Sequence, residues 1–346
     1  MQFFATPILG QLSDKYGRKK ILAISLFGTC LSYLLFAYGI FTHNLFLLFF
    51  SRALDGITGG NISVAQAAIA DVTTPENRTN SFGLIGAAFG FGFIIGPYIG
   101  GKLSDPSFVS WFNAATPFWF AAILSAINIT LVLLFFPETN IRRQHDLKIN
   151  WIKSIKNIIH AYSLQNLRPL FVVNFLFQGG FAFYTTFGPV FLINRFHFTS
   201  GNIGDFFAYA GMWIAITQGL ITRKVSSKFN EMQVLRFSLF FCGVVLFCYF
   251  LPRVWWQLLF VVPFFAMNMG LSQANMAGLI SRLADPQIQG EVLGINFSVQ
   301  ALAQSIPAAA SGFIAASMGP NTPVVVSASV MIFAAAIFWL SFRTAS

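Results

Sequence analysis

Runs of about 20 mostly apolar residues, the length a helix needs to cross a bilayer, recur along the whole chain. Eleven can be drawn: a partial one over residues 1–12, then 21–41, 45–69, 82–103, 117–136, 168–193, 203–222, 234–251, 254–280, 291–318 and 322–342. They lack the short alternating pattern of membrane barrel strands. Charged residues make up only 9% of the chain, against about 25% in soluble domains. That excludes a water-soluble enzyme and a nucleic-acid-binding module. An all-α integral membrane protein in contact with lipid is expected.

The formal net charge of +10 points to topology rather than to an anionic partner, because Lys and Arg in short loops set orientation. With the loop holding Lys15, Arg18, Lys19 and Lys20 placed in the cytoplasm, seventeen of the 21 basic residues fall on that side. Lys102, Arg195 and Arg253 fall on the other, and Arg52 lies within a span. The C-terminus is then cytoplasmic, and an odd number of spans puts the start of the chain outside. Met1 opens without a charged n-region or cleavage site, so a leading helix is expected to be missing. Cys30, Cys242 and Cys248 sit in apolar spans and read as small buried residues.

The longest polar interruption divides the chain into 1–136, a linker at 137–167, and 168–346. Within the linker, Ile152, Ile155, Ile159 and Tyr162 recur at helical spacing with Lys153, Lys156 and His160 on another face. This fits an interfacial amphipathic helix; an unstructured basic linker is the alternative. The halves echo one another. Residues 10–19, GQLSDKYGRK, align with 219–228, GLITRKVSSK, and Pro75, Gly83 and Gly101 fall opposite Pro286, Gly294 and Gly312. Parallel repeats joined by a linker are a secondary-transporter pattern, with substrate bound between the bundles near the midplane.

Three motifs carry mechanism. In the first, Gly10, Asp14, Gly17 and Arg18 lie in or beside an eight-residue connection, Ser13 to Lys20. Glycine permits a tight turn there, and Asp14 and Arg18 stand at i and i+4 if it is helical. In the second, Gly92, Gly96 and Gly100 recur every four residues, a spacing that forms a packing groove. Pro97 favours a kink there, and Gly83 and Gly101 flank the run. The third is Arg52 with Asp55, the one ionisable pair well inside a span. Charges there usually face a partner or a cavity, and loss of water penalises a charged carboxylate, so Asp55 is a candidate proton-binding group with Arg52 as its modulator. A permanent structural ion pair is the other reading.

The first motif resembles the loop signature of the major facilitator superfamily. The arrangement Gly83, Gly92, Gly96-Pro97, Gly100-Gly101 resembles the fifth-helix signature of its drug:proton antiporter branch. The run from Arg52 through Asp71 to Arg78 resembles the fourth helix and following loop of tetracycline-efflux proteins. The resemblance implies a twelve-helix fold of two pseudo-symmetric bundles, here with about eleven helices and without the first. It implies a charge cluster of Asp14, Arg18 and Asp71, with Arg78 in the same loop system, that latches the halves on the inner face; topogenic charge alone is the competing account. It also implies alternating access by rocking of the two bundles, a role for the arginine at position 52 in proton relay, and export of amphipathic drugs in exchange for protons. A metabolite carrier of the same fold and a non-transporting relic remain as alternatives. Related antiporters commonly place an essential acid in the first helix, which is expected to be missing here.

Candidate substrate contacts are the amides Asn174, Gln178, Gln273, Asn275, Asn296 and Gln300, set among phenylalanines that suit apolar pockets with a few polar anchors. Neither a phosphate-binding glycine loop with its lysine nor paired zinc ligands can be found in the sequence. No enzyme activity, cofactor or metal is expected. A monomer in an energised membrane, most simply the bacterial cytoplasmic membrane, completes the expectation.

Overall fold

The computed structural model describes residues 1–73, 88, 91–92, 94–140, 150, 152, 155–156, 159–160, 163–164, 167–284 and 289–342. Among them there is no strand. The helices are α1 (Gln2–Tyr16), α2 (Arg18–Phe41), α3 (Leu45–Thr58), α4 (Asn61–Val72), α5 (Thr116–Phe135), α6 (Arg168–Phe196), α7 (Ser200–Ile216), α8 (Thr222–Ser226), α9 (Glu231–Cys248), α10 (Trp255–Leu283), α11 (Gln289–Met318) and α12 (Thr322–Ser341). Residues 94–103 are also helical. The amphipathic helix expected at 148–162 lies largely outside the described residues, as do Arg78 and Gly83.

Seven of the described helices are long and apolar enough to cross a membrane. Local signals set their starts. Pro117, Pro169 and Pro323 sit in first turns, where a missing N–H costs nothing. Capping boxes at Thr199–Asn202 and Asn230–Gln233 open α7 and α9.

Three expectations are corrected. Residues 45–69 are not one helix: the chain breaks at Gly59–Gly60 between α3 and α4. A Cβ at Gly60 would come within 2.8 Å of the Thr6 Cα, so glycine lets α1 lie against the break. Residues 203–222 are likewise interrupted, by a π-helical turn over Thr217–Ile221. The eight-residue connection at 13–20 shrinks to a single residue, Gly17, whose φ of 103° and ψ of 147° suit only a residue without a side chain.

The chain divides into two compact units, Met1–Gly92 with Tyr98–Lys156, and Phe93–Pro97 with Asn157–Ser346. In the first, α2 packs on α3 and α5 over a small core of Ile21, Leu22, Leu26, Val64 and Val132. In the second, α6 packs on α11 and α12, and α9 on α10 and α12. Its core is larger and aromatic. Tyr184, Tyr249 and Phe265 are buried with ring centroids 5.0 to 5.8 Å apart. Many large apolar side chains, such as Phe41, Phe46, Phe135 and Phe313, point outward, as a helix surface in hydrocarbon requires.

Candidate functional site

Two polar centres form in the first unit. At the α1–α2 junction, Gly17 turns the chain so that Arg18 opens α2 facing back toward the end of α1. Arg18 Nη1 meets Asp14 Oδ1 at 2.6 Å, and Arg18 Nε donates to Asp71 Oδ2 at 2.9 Å. Arg18 Nη1 also donates to Ser13 Oγ at 2.6 Å. The Arg18 side chain is 8% exposed, against 38% for Asp14 and 25% for Asp71. One arginine thus neutralises two carboxylates from different helices.

The segment after α5 straps this cluster in place, which the sequence reading missed. Glu138 Oε1 accepts the backbone N–H of Arg18 at 2.8 Å and that of Asn140 at 3.0 Å. Thr139 Oγ1 donates to Asp71 Oδ2 at 3.2 Å, and Asn140 Nδ2 donates to the Asp14 carbonyl at 2.9 Å. Farther along, the Asn150 N–H donates to Gln11 Oε1 at 2.8 Å. A Cβ at Gly10 would touch only Ser63 Oγ, at 3.9 Å, so the tight feature of the motif is Gly17.

The second centre is Arg52 with Asp55 on α3. Arg52 Nη1 stands 3.7 Å from Asp55 Oδ2, beyond hydrogen-bonding distance. The guanidinium lies over the Phe36 ring, 4.0 Å from its centroid, and 5.3 Å from that of Phe118. α2 and α5 supply these faces, so aromatic stacking helps hold the cation, and the Asp55 carboxylate lies within hydrogen-bonding reach of the Ser32 side chain. At the neighbouring break, the Asp55 carbonyl accepts the Gly59 N–H at 2.6 Å. Gln2 Nε2 donates to the Gly59 carbonyl at 3.1 Å, and the Ser25 hydroxyl donates to that of Thr58.

Of the glycine run, Gly83 lies outside the described residues and Gly92, Gly96, Pro97, Gly100 and Gly101 lie within them. Among the described residues, nothing lies within 4 Å of a Cβ placed on Gly92, Gly96 or Gly100. Gly96, Pro97, Gly100 and Gly101 fall in the 94–103 helix.

In the second unit, Asn174 Nδ2 on α6 donates to Asn296 Oδ1 on α11 at 2.6 Å, and both side chains are buried. These two amides satisfy each other and tie α6 to α11. Gln178, one turn from Asn174, is also buried, while Gln300, one turn from Asn296, is half-buried. Asn275 is buried and donates to its own helix, at the Leu271 carbonyl. Gln273 Oε1 on α10 accepts from Gln218 Nε2 at 3.3 Å, a cross-helix pair that remains open. Among the described residues no group of His, Cys, Asp and Glu is gathered as a metal ion would need.

Comparison with known proteins identifies the family. The Major Facilitator Superfamily profile matches residues 1–308. The chain is 34% identical over 304 residues to the class H tetracycline resistance protein of Pasteurella multocida, covering 86% of this chain and 72% of that protein. It is 29% identical over 321 residues to Multidrug resistance protein 2 of Bacillus subtilis, covering 90% and 76%. Its fold superposes on the crystal structure of the human organic anion transporter MFSD10 with a TM-score of 0.73 at 22% identity, covering 97% of this chain and 80% of that one.

Proposed function

The chain belongs to the Major Facilitator Superfamily, and from that premise we propose that this multi-pass membrane transporter exports small amphipathic organic molecules, tetracyclines among them, in exchange for protons. Similarity to tetracycline and multidrug resistance proteins supports the substrate class. The observation that carries the coupling is the Arg52–Asp55 pair, whose carboxylate is near a cation yet not hydrogen-bonded to it at 3.7 Å. A carboxylate so placed, with Ser32 as its hydrogen-bonding neighbour, can bind and release a proton without displacing Arg52. Arg52, fixed over Phe36, keeps its position through both states.

In this reading, residues 1–136 and 168–346 are the moving bundles of an alternating-access cycle and 137–167 joins them. The Asp14–Arg18–Asp71 cluster, with Arg78 in the same loop system, is a latch on the cytoplasmic face. The C-terminus is cytoplasmic, and the protein works as a monomer in the bacterial inner membrane.

The test is proton flux in proteoliposomes holding the purified chain under an imposed pH gradient, with tetracycline as probe. Tetracycline-dependent proton movement is expected. Asp55→Asn should abolish uphill export while leaving downhill exchange measurable. Uphill export at the wild-type rate in Asp55→Asn would remove Asp55 from the coupling step.

A further inference from the structure

Among the described residues, the Trp213 indole Nε1 is the buried side-chain nitrogen or oxygen that lacks a hydrogen-bond partner. A buried donor without an acceptor is destabilising, so such a group in a native structure calls for an explanation. By contrast, the Trp339 indole donates to the Arg236 carbonyl at 2.8 Å.

Its surroundings are specific. Tyr209, Trp213 and Thr217 recur at i, i+4 and i+8, hence on one face of α7. Both ends of that face meet α10. Tyr209 Oη donates to the Leu259 carbonyl at 3.1 Å, and a Cβ on Gly270 would approach Thr217 to 3.1 Å. Trp213 lies between these anchors, with its ring edge-on to Tyr209 at 6.4 Å. Directly beyond it the helix opens into the π turn Thr217–Ile221, an irregularity found mostly at functional sites. The Thr217 hydroxyl is spent on the Trp213 carbonyl at 2.7 Å, and that of Thr222 on the Thr217 carbonyl at 2.9 Å. The Gln218–Gln273 pair closes the same stretch of the α7–α10 contact. An open amide pair in a helix bundle within a membrane belongs beside a cavity or partner rather than lipid.

We propose that Trp213, Gln218 and Gln273 form a hydrogen-bonding subsite within the second unit for a planar ligand carrying carbonyl or enolate oxygens. The indole N–H and the amide N–H groups donate, and the Tyr209 ring, edge-on to Trp213, borders the site. The inference rests on the export reading above and assigns part of its substrate recognition. Trp213 holds an unmet donor in the empty transporter and satisfies it in the loaded one.

The test is equilibrium binding of tetracycline to the full chain in nanodiscs, with thermal melting of the ligand-free protein alongside. Trp213→Phe keeps an aromatic ring and deletes the N–H. It should weaken tetracycline binding about five- to tenfold, as loss of one hydrogen bond does, and leave the melting temperature unchanged or higher. Gln218→Leu and Gln273→Leu should each weaken binding several-fold. Unchanged affinity in Trp213→Phe overturns the subsite, and a lowered melting temperature with unchanged affinity assigns the N–H a structural role instead. Absence of tetracycline binding by the wild-type chain would remove the substrate reading and the subsite with it, an outcome distinct from a defect confined to the variants.

Discussion

Two arginines in the first unit each face carboxylate, and their settings are opposite. Arg18 is 8% exposed and reaches Asp14 at 2.6 Å and Asp71 at 2.9 Å, with Glu138, Thr139 and Asn140 tying the same groups from a third segment. Arg52 is 46% exposed, stands 3.7 Å from its single carboxylate and rests on two phenylalanine faces. The first arrangement opposes change, since moving Arg18 strands two acids and several donors together. The second spreads the hold on the cation, because Arg52 rests on two ring faces as well as standing beside Asp55. Residue type alone therefore does not decide how firmly an arginine–carboxylate pair is held; its burial and the number of additional hydrogen bonds do.

Substitutions can break or sharpen that contrast. Arg18→Gln should be the most damaging, lowering stability by about 3 kcal/mol because both partner carboxylates lose their cation; thermal melting of the purified protein measures it. Gly17→Ala follows at about 2 kcal/mol, since an L side chain is strained at φ 103°, and the same melting series places it. Glu138→Gln should cost about 1 kcal/mol, because an amide oxygen accepts the Arg18 and Asn140 N–H groups more weakly than a carboxylate. Arg52→Gln should be smallest, under about 1 kcal/mol as for a partly exposed pair, yet impair proton-coupled transport in the proteoliposome assay. An equal stability loss at positions 18 and 52 would erase the distinction.

Much of this was legible in sequence. Apolar runs located the membrane helices because each span must be apolar along most of its length. The pairing of Asp14 with Arg18 followed from a spacing of four, and Asp71 came from family resemblance. The strap of Glu138, Thr139 and Asn140 was not legible, because it joins residues 68 to 126 positions apart and polar residues after a helix look like any linker. The break at Gly59–Gly60 and the π turn were also missed, since the Thr-Gly-Gly-Asn and Thr-Gln-Gly runs there are short enough to be averaged into one apolar span. Trp213 gave no signal either: an indole in an apolar span reads as bulk, and only its missing acceptor distinguishes it.

The Gly59–Gly60 break lies between the two charged centres in the chain, with Arg52 and Asp55 on α3 before it and Asp71 on α4 after it. A continuous helix would transmit axial rotation from one centre to the other almost undiminished. A two-residue joint, with the Gly59 carbonyl held by Gln2 and the preceding Thr58 carbonyl held by Ser25, splits that shaft into two arms. Each arm then has its own axis, α3 carrying the Arg52–Asp55 pair and α4 the Asp71 end of the Arg18 cluster.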